Sequence, residues 1–284
     1  LRLGLVAIIS LWIAHALGPA EFGKLNHASA LVAMFWMVAL LGLGGRGARV
    51  IVAAALLFQL YVAVRVALLV AGTQAPLVYV VGGFQPPLGI TLRADGISAL
   101  MMVVSAIIIA AAAGFAWKDF AQPRGKPEVR LSLVFWSALL AMASALNLLF
   151  TSTDLFNLYV GLELLTFAAI PVVAIKGGAE TVRAALRYLL FAVFGSMLYL
   201  LGIVLVYGAY GTLEVSAIAA LATPNAATLA AAGFVTVGLL AKTALFPFHL
   251  WLPPAHAGAP PAGSAVLSAL DAIRRLHARH VTAA

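Results

Sequence analysis

Residues 131–175 constrain this chain more than any other stretch. They read LSLVFWSALLAMASALNLLF and then TSTDLFNLYVGLELLTFAAIPVVAI, two apolar runs parted by the short polar step Thr151–Asp154. About twenty apolar residues in helical form cross the hydrocarbon of a bilayer, and each run has that length. One carboxylate, Glu163, lies inside the second run between apolar and small neighbours. A charge at such a depth costs about 2.5–3.5 kcal/mol on insertion scales, so it turns toward protein or water and serves a purpose. Two readings of Glu163 follow: an ion-handling group, or a buried acid that pairs with a neighbouring helix and fixes packing.

The remainder of the chain repeats the pattern. Of 284 residues, 64% are hydrophobic and only 9% charged, too few charges to cover a soluble protein of this size. The apolar runs have helical length and no period-two alternation, which excludes an outer-membrane barrel. The fold class expected is therefore all-α, a polytopic membrane helix bundle. Candidate spans are 1–17, 28–43, 50–70, 97–117, 131–150, 153–175, 184–209 and 228–250. The first is read as a membrane helix, since no small-residue cleavage site precedes a polar mature domain. The expected division is 1–70 N-terminal membrane helices, 71–96 an external loop, 97–273 the main bundle and 274–284 a basic tail. There is no cysteine, which removes disulfides, thiolate metal sites and cysteine nucleophiles.

The net charge of +8 is dispersed among loops, which speaks for topology and against nucleic acid. Arg46 and Arg49, then Lys118, Arg124, Lys126 and Arg130, then Lys176, Arg183 and Arg187 fall in alternate connections. The intervening connections hold only Lys24 and Arg93, or no basic residue at all. This rhythm predicts a cytoplasmic 118–130 loop and an external 71–96 loop, with GFQPPLGI lying over the outer face. Arg93 and Asp95 are read as an ion pair or as two exposed charges. Arg65 is read as snorkelling to the interface.

Lys242 is the second charge at membrane depth, in GFVTVGLLAKTALFPFHLWLP. Burial favours a neutral amine and a nearby carboxylate favours the ammonium, opposed tendencies that suit a proton relay; snorkelling is the alternative. Pro247, Pro253 and Pro254 predict a bent or broken helix that frees backbone polar groups. His249 and His256 flank that break, where histidine can exchange protons near neutral pH and interfacial packing is the other reading. Arg183 and Arg187 are four apart on one helix face, one a topology anchor and the other a candidate partner for Glu163. No nucleotide loop, haem-ligand pair or iron–sulfur pattern is present, and no cofactor or metal is expected.

TSTDLFNLYVGLELL, LRYLLFAVFGSMLYLLGIVLVYGAYGTL and AKTALFPFHLWLPPAHAGAPPAGSAVLSAL, in this order, resemble the antiporter-like membrane subunits shared by NADH–quinone oxidoreductase and the multisubunit sodium/proton antiporters, most of all the antiporter D subunit. The likeness extends over roughly residues 84–270. It implies that Glu163 is the pump glutamate, Lys242 the central lysine and His249 part of a hydrated path, with Arg187 at a position often held by lysine. Pro254 departs from the aspartate common there, and Asp271 with Arg274 and Arg275 departs from the apolar continuation of the family. The resemblance covers the first of two inverted repeats, so a truncated chain is expected, resembling the first half of the fold. The function implied is a proton-translocating subunit, with exchange for sodium or another monovalent cation as its antiporter form. The alternative is a truncated structural subunit that conducts nothing. Oxidoreductase activity would belong to the complex, since the chain has no redox site of its own. Partners implied are other membrane subunits, lipid, protons and sodium, in the cell inner (plasma) membrane.

Overall fold

The computed structural model describes residues 48–83, 89–120 and 130–268. The candidate spans 1–17 and 28–43, the tip of the 71–96 loop, most of the 118–130 loop and the basic tail lie outside the described residues. The chain divides into two compact units, residues 1–79 with 92–151, and residues 80–91 with 152–284.

The first unit contains three long helices: α1 (Ala48–Thr73), α2 (Gly96–Asp119) and α3 (Arg130–Thr151). Each is long and apolar enough to cross a membrane. Their packing follows membrane logic, with small residues facing inward and large apolar ones outward. Along α2 the buried positions are Ala99, Met102, Ala106, Ile109, Ala112, Ala113 and Ala116, one face of a helix. Leu100, Ile107 and Phe115 point away from it. The last turn of α2 meets the first turns of α3 in an aromatic cluster, where Phe120 stacks on Phe135 at 4.5 Å and Trp136 meets both edge-on. Arg49 of α1 lies over Trp117 at 6.0 Å, a cation–π contact.

Between α1 and α2 the chain forms a two-stranded sheet, β1 (Leu77–Val80) with β2 (Thr91–Ala94), where the sequence predicts only loop. Asp95 accepts a hydrogen bond from the Ser98 N–H at 2.8 Å and caps α2, while Arg93 is exposed. Among the described residues no Arg93–Asp95 ion pair forms.

The second unit contains α4 (Leu155–Ala174), α5 (Ala179–Tyr210), α6 (Val215–Leu221), α7 (Ala226–Lys242), a 3₁₀ turn (Phe248–Trp251) and α8 (Leu252–Gly258). A further helix begins at 261 and is described to 268. Helices α4 and α5 also have spanning length and composition. Asp154 caps α4 by accepting from the N–H groups of Phe156 and Asn157, both at 2.9 Å. Glu214 caps α6, and Asn225 caps α7 through the Thr228 N–H. Asp154 and Glu214 form a single β-bridge that ties the starts of α4 and α6 together. Gly211 ends α5 in the left-handed conformation at φ 69°, which a side chain would oppose. Pro171 lies within α4, as membrane helices tolerate.

The expected eighth span, 228–250, is the broken helix that its prolines predict. It stops at Lys242, five residues ahead of Pro247, so the lysine is the last helical residue and not an interior one. The freed carbonyls find other donors. Leu239 accepts from Thr243 N–H and hydroxyl at 2.9 and 2.8 Å, and Leu240 accepts from Leu245 N–H at 3.1 Å. Ala241 accepts from the Trp251 indole at 3.2 Å. Trp251 in turn stacks on Tyr188 of α5 at 4.5 Å, fixing the far side of the break.

Candidate functional site

α5 and α7 approach each other along glycines. A Cβ on Gly238 would stand 2.7 Å from both the Gly195 carbonyl and the Tyr199 nitrogen, and one on Gly202 would stand 2.6 Å from a Val235 methyl. Real side chains do not fit such gaps, so backbone faces backbone, the arrangement that small residues permit in a bilayer. One turn beyond Gly238, Lys242 enters the space between α7, α5 and α4.

There its ammonium donates to Glu163 Oε1 at 2.7 Å. Lys242 is buried, its side chain only 2% exposed, while Glu163 retains 16%. The Ser196 hydroxyl of α5 hydrogen-bonds the same Oε1 and also lies 2.7 Å from the Ala192 carbonyl one turn back. Glu163 Oε2 has no hydrogen-bond partner among the described residues. Three helices thus supply one group each: α4 the acid, α5 the hydroxyl, α7 the base. Among the described residues one carboxylate oxygen is held and the other is not. Tyr159, one turn before Glu163, stacks on Tyr199 at 6.3 Å, and the Tyr199 hydroxyl donates to the Leu155 carbonyl at 3.2 Å.

The other two expected site residues lie elsewhere. Arg187 is exposed near the start of α5, nine residues or ~13 Å of helix rise before Ser196, and makes no ion pair with Glu163. The cation that reaches the acid is Lys242. Arg183 pairs with Glu180 at 3.1 Å on an exposed surface. His249 is exposed in the 3₁₀ turn after the break and stacks on Phe246 at 5.9 Å. His256 hydrogen-bonds Ser264 at 2.9 Å. Arg65 is exposed on α1.

Ser196 and the glycines went unread in the sequence. A lone serine among small residues gives little signal, but Gly195 and Gly202, seven apart on α5, mark one helix face and point to a close helix partner. Among the described residues no cluster of three or more His, Cys, Asp or Glu gathers as a metal site would. The arrangement holds a charge pair whose lysine is buried and whose acid keeps partial exposure, so its chemistry is ion pairing and proton exchange.

Comparison with known proteins matches residues 152–274 to the family model described as NADH:quinone oxidoreductase/Mrp antiporter, transmembrane, a stretch that includes Glu163, Ser196 and Lys242. Over 187 residues the chain is 36% identical to the N subunit of NADH-quinone oxidoreductase from Desulforudis audaxviator, covering 64% of this chain and 36% of that protein. Over 201 residues it is 31% identical to the D-type subunit of a probable K(+)/H(+) antiporter from Rhizobium meliloti, covering 69% of this chain and 36% of the relative. Among solved structures, a chain of the membrane-bound sulfane sulfur reductase, an archaeal respiratory membrane complex, superposes with a TM-score of 0.75 at 25% identity. That match covers 91% of this chain and 52% of the other. The chain spans 36% of the length of these two curated relatives.

Proposed function

The chain belongs, through residues 152–274, to the antiporter-like membrane-subunit family shared by NADH:quinone oxidoreductases and Mrp antiporters, and on that premise we propose that it is a proton-translocating subunit of a multisubunit membrane complex. The observation that supports this most is the ion pair between Glu163 and Lys242, 2.7 Å apart, with the lysine buried between three helices. A charge pair placed only for packing gains little over apolar residues of the same volume, because desolvation offsets its attraction. A pair that cycles between charge states has a reason to be there.

In the resting state the ammonium and the carboxylate neutralise each other. A proton arriving at the carboxylate neutralises Glu163 and removes the counter-charge from Lys242. Buried without that counter-charge, Lys242 releases its proton onward, and the acid then passes its own proton to the neutral amine, which re-forms the pair. Moving one charge across the membrane is worth about 2.3 kcal/mol per 100 mV, so the cycle runs only when coupled to another gradient or to redox chemistry elsewhere in the complex. Exchange of the proton for sodium or another monovalent cation is the antiporter form of the same cycle. His249, in the turn after the helix break, serves in this reading as an exchange group, and Arg187 anchors the start of α5. Neighbouring membrane subunits are the partners and the cell inner membrane is the location.

Glu163→Gln retains shape and loses the cycle. Proton flux into vesicles that hold the intact complex, with subunit content matched to wild type, is expected to vanish. Undiminished flux from the glutamine variant would remove Glu163 from the relay and leave the ion pair a packing device.

A further inference from the structure

The Ser196 hydroxyl has one proton and two acceptors. Its oxygen is 2.7 Å from the Ala192 carbonyl, the usual back-bond of a helical serine, and is also in hydrogen-bond contact with Glu163 Oε1. Only one of these can receive the proton at a time. Which one does depends on the charge of Glu163. Toward an ionised carboxylate the bond is charge-assisted and about twice as strong as a neutral one, so the proton turns to Oε1. Toward a neutral carboxylic acid bearing its proton on Oε1 the roles reverse, with the acid donating to Ser196 and Ser196 donating to Ala192.

We propose that Ser196 is a positioning residue that holds Glu163 in one geometry in both charge states, acting as donor to the carboxylate and as acceptor from the acid, with Ala192 taking the hydroxyl proton in the second state. The inference rests on the reading of Glu163 as a proton-exchanging group. Its proton accounting is closed. The proton that the relay delivers to the carboxylate forms an O–H bond on the side of Oε1 turned to Ser196, while Lys242 Nζ keeps the other lone pair at 2.7 Å. That O–H points at Ser196 Oγ, whose own proton swings to Ala192. No other charged group competes for the carboxyl among the described residues. From α7 it meets Lys242, from α5 Ser196, on its own helix Tyr159 is one turn away, and on α8 His256 bonds Ser264. Without the hydroxyl, the protonated side chain would be free to rotate away from Lys242 and the next transfer would start from the wrong geometry.

Infrared difference spectra of native membranes that hold the chain with its partners, stepped between acid and base, read the state of the carboxyl directly. The protonated Glu163 band is identified by its loss in Glu163→Gln. Ser196→Ala is expected to move that band to higher wavenumber, because the acid O–H loses its acceptor, and to slow proton flux about tenfold. Ser196→Thr, which retains the hydroxyl, is expected to restore both. Should alanine fail to accumulate, Ser196→Cys is expected to show the same shift in smaller measure, since a thiol is a weak partner. A Glu163 band that stays in place in the alanine and cysteine variants overturns the role of Ser196 and leaves the relay standing. If no Glu163-dependent band arises in wild type, the relay reading falls and this inference falls with it.

Discussion

In the unit built from α1, α2 and α3, buried polar atoms stand singly: Gln59 Nε2, Trp136 Nε1 and Asn147 Oδ1 have no hydrogen-bond partner among the described residues. The unit built from α4 to α8 has two such atoms, Thr91 Oγ1 and Asn157 Nδ2, but also the one buried charge among the described residues, and that charge is joined to an acid that a hydroxyl also holds. A neutral amide or indole without a partner costs about 1–3 kcal/mol, which a helix bundle absorbs. An unpaired ion at the same depth costs several times more, so it persists only with partners in place. Those partners come from different helices and must be brought within hydrogen-bond reach. Hence the contrast in packing. Alanines and an aromatic cluster suffice for α1–α3, whereas α5 and α7 touch backbone to backbone at Gly195, Gly202 and Gly238.

The sharpest way to break this contrast is to remove the charge. Lys242→Ala leaves the carboxylate without its cation and is expected to abolish proton flux and lower stability by about 3–5 kcal/mol, read as chemical unfolding in detergent. Lys242→Arg should recover part of the stability and almost none of the flux, because guanidinium holds its proton at any physiological pH. Substantial flux with arginine would make the lysine a structural anchor. Next comes the packing that delivers the charge. Gly238→Ala pushes a methyl into the Gly195 carbonyl and the Tyr199 nitrogen, and is expected to cost about 1–3 kcal/mol and to reduce flux through a lengthened Lys242–Glu163 contact. Full flux from that variant would show that the site tolerates a wider helix spacing. The smallest effect belongs to the other unit. Asn147→Leu removes an isolated polar group and is expected to leave flux unchanged and stability equal or higher by up to about 1 kcal/mol. A clear loss of stability would mean that Asn147 belongs to a network as Lys242 does.

The bundle was legible because apolar length dictates it. The runs at 97–117, 131–150 and 153–175 match α2, α3 and α4 to within a few residues, as a bilayer leaves little freedom to a segment of that composition. Glu163 and Lys242 were legible for the same reason, each a charge where charge is costly. That they meet fits the reading of Lys242 beside a nearby carboxylate, although helix order alone says nothing of which faces turn together. Arg187 was the nearer guess for the partner of Glu163 by sequence and lies on an exposed turn of α5. α7 ends at Lys242, eight residues short of the span expected to reach 250, and Ala244, at φ 50°, already leaves the helical path ahead of Pro247. Asp95, Asp154 and Glu214 serve as helix caps that went unread, a signal present in each case as an acid placed immediately before an apolar helix.

The stop of α7 at Lys242 also has an electrical consequence. The aligned peptide dipoles of a helix place the equivalent of about half a negative charge at its C-terminal end. Lys242 is the last residue of that helix, so among the described residues it has two sources of negative potential of different kinds. One, Glu163, would vanish in the proposed relay whenever the acid took up a proton. The other is built into the backbone and persists through every step. The lysine is therefore never wholly without a counter-field, and the swing in potential that it experiences is smaller than the full charge of the carboxylate.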